Sequence, residues 1–302
     1  MPSRKSDMPT QEFGGDWTQQ KLQILDNYLA AYTNIFQTNP RARHLDTIYV
    51  DAFAGSGLIQ QSANREAEEQ LFSEFVKPDA IEFLKGSAAR ALQHPFARYI
   101  FIEKSETRVA ELERLKALST AGSRISIRKG DANSKLEGFV AATDWKKTRA
   151  VVFLDPYGMQ VNWNTIAMLG ETKAVDLWFL FPLGQAVMRL LQKRCEPPPE
   201  WQQALDRIFG THDWYSRFYK TEKQTNLFEE EVTFTHRVAD SNAVTAFMIE
   251  RLEMAFHAVA KRPGILYNSQ NVPLYLFCFA SANPKGAPTA LKIANDLLKR
   301  LN

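Results

Sequence analysis

Four short stretches place a carboxylate where an apolar run gives way to small residues: Asp51 in Tyr49-Val-Asp-Ala-Phe-Ala-Gly-Ser-Gly57, Glu103 closing Arg98-Tyr-Ile-Phe-Ile-Glu103, Asp131 in Gly130-Asp-Ala-Asn133, and Asp155 in Asp155-Pro-Tyr-Gly158. Asp155-Pro156-Tyr157 is the stretch best suited to a reaction. An exocyclic amine on a nucleobase is a poor nucleophile because its lone pair is delocalised into the ring. Activating it means drawing its hydrogens out of plane, which two fixed acceptors achieve. Asp155 would accept one N–H, the Pro156 carbonyl another, and Tyr157 would stack on the ring, with proline holding the bend. The same residues also describe a strand-ending Asp-Pro turn with a packed tyrosine.

The other three stretches suit a cofactor. Ile48, Tyr49 and Val50 read as a buried strand running into Asp51, and Gly55 and Gly57 leave room for backbone to approach an adenosine-containing ligand; an ordinary turn has the same composition. Glu103 ends a second strand, where a carboxylate can take two ribose hydroxyls; a solvent-exposed strand end reads the same way. Asp131 follows a glycine at the end of a third strand and can accept from an adenine amino group, with Asn133 capping the next helix. A turn plus a cap accounts for those four residues equally well.

These tips need a frame. Leu22, Leu25, Leu29, Tyr32, Ile35 and Phe36 recur at helical spacing and predict a helix of about 20 residues before Pro40. Strands are expected at 46–51, 98–103, 124–128, 150–154 and 174–183, with helical patterns at 86–92, 105–118 and 165–170, and through Val187, Leu190 and Leu191. The run Ala150-Val-Val-Phe-Leu154 is apolar throughout, as a strand buried on both faces must be. Alternating strands and helices predict a doubly wound α/β sheet whose site lies at the carboxyl ends of the strands. The stretch 58–78, rich in Gln, Glu, Ala and Ser, reads as a connector. After three consecutive prolines (197–199) the pattern becomes helical and aromatic, and residues 228–260 contain a long helical pattern that includes Phe247, Met248, Leu252 and Phe256. Two short strands, at 264–267 and 274–281, form a hairpin, and a helix closes the chain from 288 to 301. The implied organisation is an arm (1–16), a core (17–195), a helical aromatic-rich subdomain (196–262), and final strands and helix completing the core (263–302).

Composition narrows the class. The chain has 302 residues, 45% hydrophobic and 24% charged, which is ordinary globular composition, and a net charge of +3 permits phosphate contact without demanding it. Lys146, Lys147 and Arg149, and Lys193 with Arg194, read as solvated faces. No apolar run is long enough to span a bilayer and no secretory pattern opens the sequence, so a cytoplasmic protein without membrane contact is expected. Cys195 and Cys278 lack metal-ligand spacing, so neither a metal site nor a disulfide is expected. Gln60 stands where a dinucleotide fingerprint would need its third glycine, which argues against a dehydrogenase.

Taken as a series, Tyr49 to Gly57, Phe101-Ile-Glu103, Gly130-Asp-Ala-Asn133 and Phe153-Leu-Asp-Pro-Tyr-Gly158 resemble the motifs of class I S-adenosylmethionine-dependent methyltransferases. More closely, residues 17 to 300 resemble the three-Cys-motif partner proteins. That likeness includes Lys21-Leu22 with Tyr28-Leu-Ala-Ala-Tyr32, Gly86-Ser-Ala88, Asp176-Leu-Trp178 with Phe181-Pro-Leu-Gly184, and Leu274-Tyr275 through Phe279-Ala-Ser281. The resemblance implies a Rossmann-like class I methyltransferase sheet with an N-terminal helix and a helical insertion before the last strands. It implies S-adenosylmethionine as cofactor, with Asp51, Phe53, Ala54, Gly55 and Gly57 around the methionine moiety, Glu103 at the ribose, and Asp131 and Ala132 at the adenine. It also implies a three-Cys-motif protein, similar to radical S-adenosylmethionine enzymes, as partner. Gly86-Ser87 resembles a pair in ribosomal-RNA adenine N6-methyltransferases. However, Asp-Pro-Tyr-Gly departs from their Asp-Pro-Pro-Tyr and is closer to the Asp-Pro-Phe-Gly of tRNA guanine N2-methyltransferases. The expected activity is methylation of an exocyclic amino group of an RNA or DNA base; the alternative is a non-catalytic, cofactor-binding partner of the three-Cys-motif protein.

Overall fold

The computed structural model describes residues 16–55, 86–225 and 231–301; Gly57, the arm before Asp16 and the connector at 58–78 lie outside them. Helix α1 (Asp16–Thr38) has no internal proline or glycine. Its buried residues Leu22, Leu25, Tyr28, Leu29 and Tyr32 fall three to four apart on one face. A turn at Asn39-Pro40 leads to β1 (Asp46–Asp51), and helix α2 (Ser87–Ala91) precedes β2 (Arg98–Glu103). Three further alternations follow: α3 (Glu106–Leu118) with β3 (Ile125–Lys129), α4 (Ala132–Ala141) with β4 (Thr148–Leu154), and α5 (Trp163–Glu171) with β5 (Val175–Phe181).

Beyond β5 comes a π-helical turn, Leu183–Val187. A Cβ at Gly184 would stand 1.9 Å from the Pro273 carbonyl oxygen, so this close approach of two backbones requires glycine. Helices α6 (Pro199–Phe209) and α7 (Asp213–Phe218) lead into β6 (Tyr219–Thr225) and β7 (Glu231–Arg237); α8 (Ser241–Ala255) then leads to β8 (Ala258–Val259), β9 (Gly264–Tyr267), β10 (Pro273–Ser281) and α9 (Ala287–Leu298).

Among the described residues the main sheet has eight strands in the order β3-β2-β1-β4-β5-β10-β8, with β9 also paired to β10. The first five are parallel, and β10 runs antiparallel to β5, pairing Leu276 with Phe181 through Ser281 with Asp176. Alternation along the strands divides the core into two layers. Ile48, Val50, Val152 and Leu154 face α4, α5, α6 and α8, whereas Tyr49, Val151 and Phe153 face α1, α2 and α9. This is the expected mixed α/β, Rossmann-like sheet covered on both faces.

Two expectations need correction. The helical pattern within 228–260 is α8, but the region 196–262 is not helical throughout: Glu231–Arg237 is a strand, paired antiparallel with Tyr219–Thr225 in a two-stranded ribbon. Its alternating Thr221, Thr233 and Thr235 favour extended backbone, and no apolar stripe of helical period runs through it. The cap of α4 is Asp131 and not Asn133: the Asp131 Oδ1 accepts from the Ser134 amide at 3.0 Å.

Candidate active site at the carboxyl ends of the strands

The order of the sheet reverses between β1 and β4, and a crevice outside their carboxyl ends is where open α/β sheets hold ligands. Asp51 closes β1 opposite Phe153 of β4, Asp155 follows one residue beyond the end of β4, and Glu103 closes the neighbouring β2. The topology therefore brings three carboxylates to one rim, and all three are buried.

Asp51 is completely buried. Its Oδ1 accepts from the Phe53 amide at 3.3 Å; among the described residues its Oδ2 has no partner at hydrogen-bond geometry, although the Tyr49 hydroxyl lies close enough for Asp51 to push its titration up. Burial pushes its carboxyl up to about 7, against the Ser87 hydroxyl and the Phe53 amide, and with help from the negative charges of Asp155 and Glu103. The loop after it turns at Gly55 with φ of +112°, a conformation that favours glycine. The Ala54 amide is fixed to the Ile102 carbonyl at 3.0 Å, while Phe53 is half-buried against the core. The Glu103 Oε1 accepts from the Ser105 amide at 2.7 Å, and Arg108 lies 3.9 Å from the other oxygen. Burial raises this carboxyl, and the Ser105 amide and Arg108 partly offset the rise.

Asp131 is exposed and is engaged as the cap of α4, and Ala132 is buried in that helix's first turn. Asn133 has a different task from the one expected. Its Nδ2 donates to the Gln160 carbonyl at 2.8 Å, and its Oδ1 accepts from the Asn162 amide at 3.0 Å and the Thr165 hydroxyl at 2.8 Å. The Gln160 side chain in turn accepts from the Tyr157 amide at 3.2 Å. Asn133 thus clamps the loop that carries Asp155, Pro156 and Tyr157.

Asp155 has a partner that its motif does not reveal. Lys21 of α1, 2% exposed, brings its Nζ to 2.9 Å from Asp155 Oδ2. The same ammonium lies 4.8 Å from the centre of the Trp17 ring, and Trp17 stacks on Tyr275 of β10 at 5.4 Å. Burial pushes the Tyr275 hydroxyl well up, and Asp155 and Tyr157 add to the rise, so these groups share one environment. The structure therefore brings together Asp51, Glu103, Asp155, Pro156 and Tyr157, and adds Lys21, Trp17 and Tyr275. The legible trace of Lys21 was a cation in line with Tyr28 and Tyr32 on the buried face of α1, where a lysine is out of place.

Among the described residues no His, Cys, Asp or Glu cluster could hold a metal ion, and no helix is long and apolar enough to cross a membrane. Cys195 is exposed and Cys278 is buried in β10, both as free thiols.

No protein-family model and no curated protein matches the chain. Among solved structures it is similar to a Legionella pneumophila protein of the family model DUF519 (14% identity, 95% of this chain and 93% of that one, TM-score 0.39). It is also similar to the N-terminal domain of EvdMO1 in the presence of SAH and D-fucose (11%, 86% and 84%, TM-score 0.36). A third likeness is to the CcbJ methyltransferase of Streptomyces caelestis (9%, 85% and 95%, TM-score 0.33). At such identities and TM-scores none of them bears on what this chain binds.

Proposed function

We propose that the chain is an S-adenosylmethionine-dependent methyltransferase acting on an exocyclic amino group of a nucleic-acid base. The observation that carries this reading is the fully buried Asp51 carboxyl with an unsatisfied oxygen, beside Asp155 and Glu103 at the topological switch point. With Asp155 paired to Lys21, Asp51 and Glu103 remain as the acceptors of the rim, and a ligand that brings positive charge and hydrogen-bond donors suits them. Bound there, S-adenosylmethionine supplies an electrophilic methyl group on a positively charged sulfur. The residues fit that role: Asp51 offers an acceptor and a countercharge, Gly55 permits close approach, and Glu103 suits a pair of ribose hydroxyls. Asp131, as an exposed cap, has its second oxygen available for an adenine amino group. Asp155 and the Pro156 carbonyl accept the two hydrogens of the acceptor amine and aim its lone pair, while Tyr157 supports the ring.

Calorimetry with S-adenosylmethionine, with NAD as control ligand, tests the cofactor. Methyl transfer from the tritiated cofactor to bulk RNA and bulk DNA tests the reaction. Asp155→Asn is the appropriate variant, because it removes the charge but keeps the shape of the side chain and an oxygen that can accept from Lys21, which alanine would not. It should bind the cofactor as the wild type does and lose about a hundredfold in transfer. Binding of NAD in place of S-adenosylmethionine, or an unimpaired Asp155→Asn variant, would sink the proposal.

One observation favours a second reading. Asp155 is already neutralised by Lys21, as suits a non-catalytic cofactor-binding partner of a three-Cys-motif protein. In that case the wild type binds the cofactor, transfers no methyl group, and forms a stable complex with the three-Cys-motif protein.

A further inference from the structure

Lysine is rarely fully buried without a partner, and a buried ion pair stabilises no better than apolar residues of similar volume. The pair between Lys21 and Asp155 therefore needs a reason other than holding α1 in place, and α1 already has another anchor. Seven residues on, Tyr28 donates to Asp176 Oδ2 at 2.7 Å, and Ser281 donates to the other oxygen of Asp176 at 2.5 Å. Asp176 pairs with Val151 of β4, four residues before Asp155. Seven residues of helix span ~10 Å and four residues of strand ~13 Å. Fixing Tyr28 over Asp176 thus sets Lys21 over Asp155, at the opposite end of the same strands. The Trp17 ring, stacked on Tyr275, lies against the same ammonium.

We propose that Lys21 is a positioning residue: its ammonium holds the Asp155 carboxylate in one orientation, so that the acceptor amine meets a fixed hydrogen-bond acceptor. This rests on the methyltransferase reading and adds to it a role for the first helix. Lys21 acts through Asp155, so its removal costs nothing further once Asp155 no longer carries a charge.

The test uses the full chain as wild type, Lys21→Met, Lys21→Arg, Asp155→Asn and the double variant Lys21→Met/Asp155→Asn. S-adenosylhomocysteine affinity, read by calorimetry, should stay within about threefold throughout, because the coupling runs to the acceptor side. Transfer of the tritiated methyl group to bulk RNA or DNA should fall about a hundredfold in Lys21→Met, in kcat rather than KM. Lys21→Arg should recover part of the loss, and the double variant should match Asp155→Asn. In the lysine ammonium region of a 1H–15N spectrum, one slowly exchanging signal should disappear in both Lys21→Met and Asp155→Asn. An active wild type indifferent to Lys21→Met, or losses that multiply in the double variant, overturns the positioning role alone. An ammonium signal unaffected by Asp155→Asn overturns the pairing itself. A wild type that transfers no methyl group overturns the functional reading, and the positioning role falls with it.

Discussion

Asp51 ties the site to the stability of the whole molecule. Its carboxyl ordinarily titrates at 3.8 and is pushed up to about 7 by complete burial. A group whose folded value lies above its unfolded value binds more protons in the native state, so its contribution is fully present below pH 3.8 and is lost as pH rises through 7. With each pH unit worth about 1.4 kcal/mol, the full window amounts to about 4 kcal/mol, of which about 3 kcal/mol falls between pH 5 and pH 8. Asp51→Asn keeps the shape of the side chain and removes the titration. Relative to wild type, it should therefore gain about 3 kcal/mol of stability on going from pH 5 to pH 8. Asp176, also completely buried and raised to about 6, gives both proteins a slope of the same sign, which cancels in the difference. Urea unfolding of the two ligand-free proteins at pH 5, 6, 7 and 8 measures this. A constant difference across that range would refute the claim that an unsatisfied, protonatable carboxyl lies under the crevice.

The same group predicts a pH-dependent affinity. If cofactor binding needs Asp51 ionised, S-adenosylmethionine should bind about tenfold more weakly at pH 6 than at pH 8, with the dependence absent in Asp51→Asn; calorimetry over that range checks it, and a flat profile in the wild type counts against a cationic ligand at Asp51. At the other end of α1, Tyr28→Phe removes one of two hydroxyl donors to the buried Asp176 and should lower the urea-unfolding free energy by about 1.5–3 kcal/mol; an unchanged midpoint would show that Tyr28 does not anchor the helix.

What the sequence revealed and what it hid follow from the range of the interactions involved. A strand tip is a local feature: an apolar run such as Ala150 to Leu154 must be buried on both faces, and a carboxylate just beyond it must then lie at the rim. Asp51, Glu103 and Asp155 were therefore legible, and so was the parallel arrangement that lines them up. The β6–β7 ribbon was not, because its exposed strands carry neither an apolar stripe nor a buried run, and their pairing shows only in cross-strand contacts such as Thr221 with Thr235. Asn133 stands where a cap is expected, but its bonds reach 27 to 32 positions along the chain to the loop after β4 and the first turn of α5, a partnership that no local spacing encodes. Lys21 is the extreme case, since its partner lies 134 positions away. A lysine on the apolar face of a helix signals only that a countercharge must exist. The fold decides which one, and here it is Asp155, one residue beyond the end of β4.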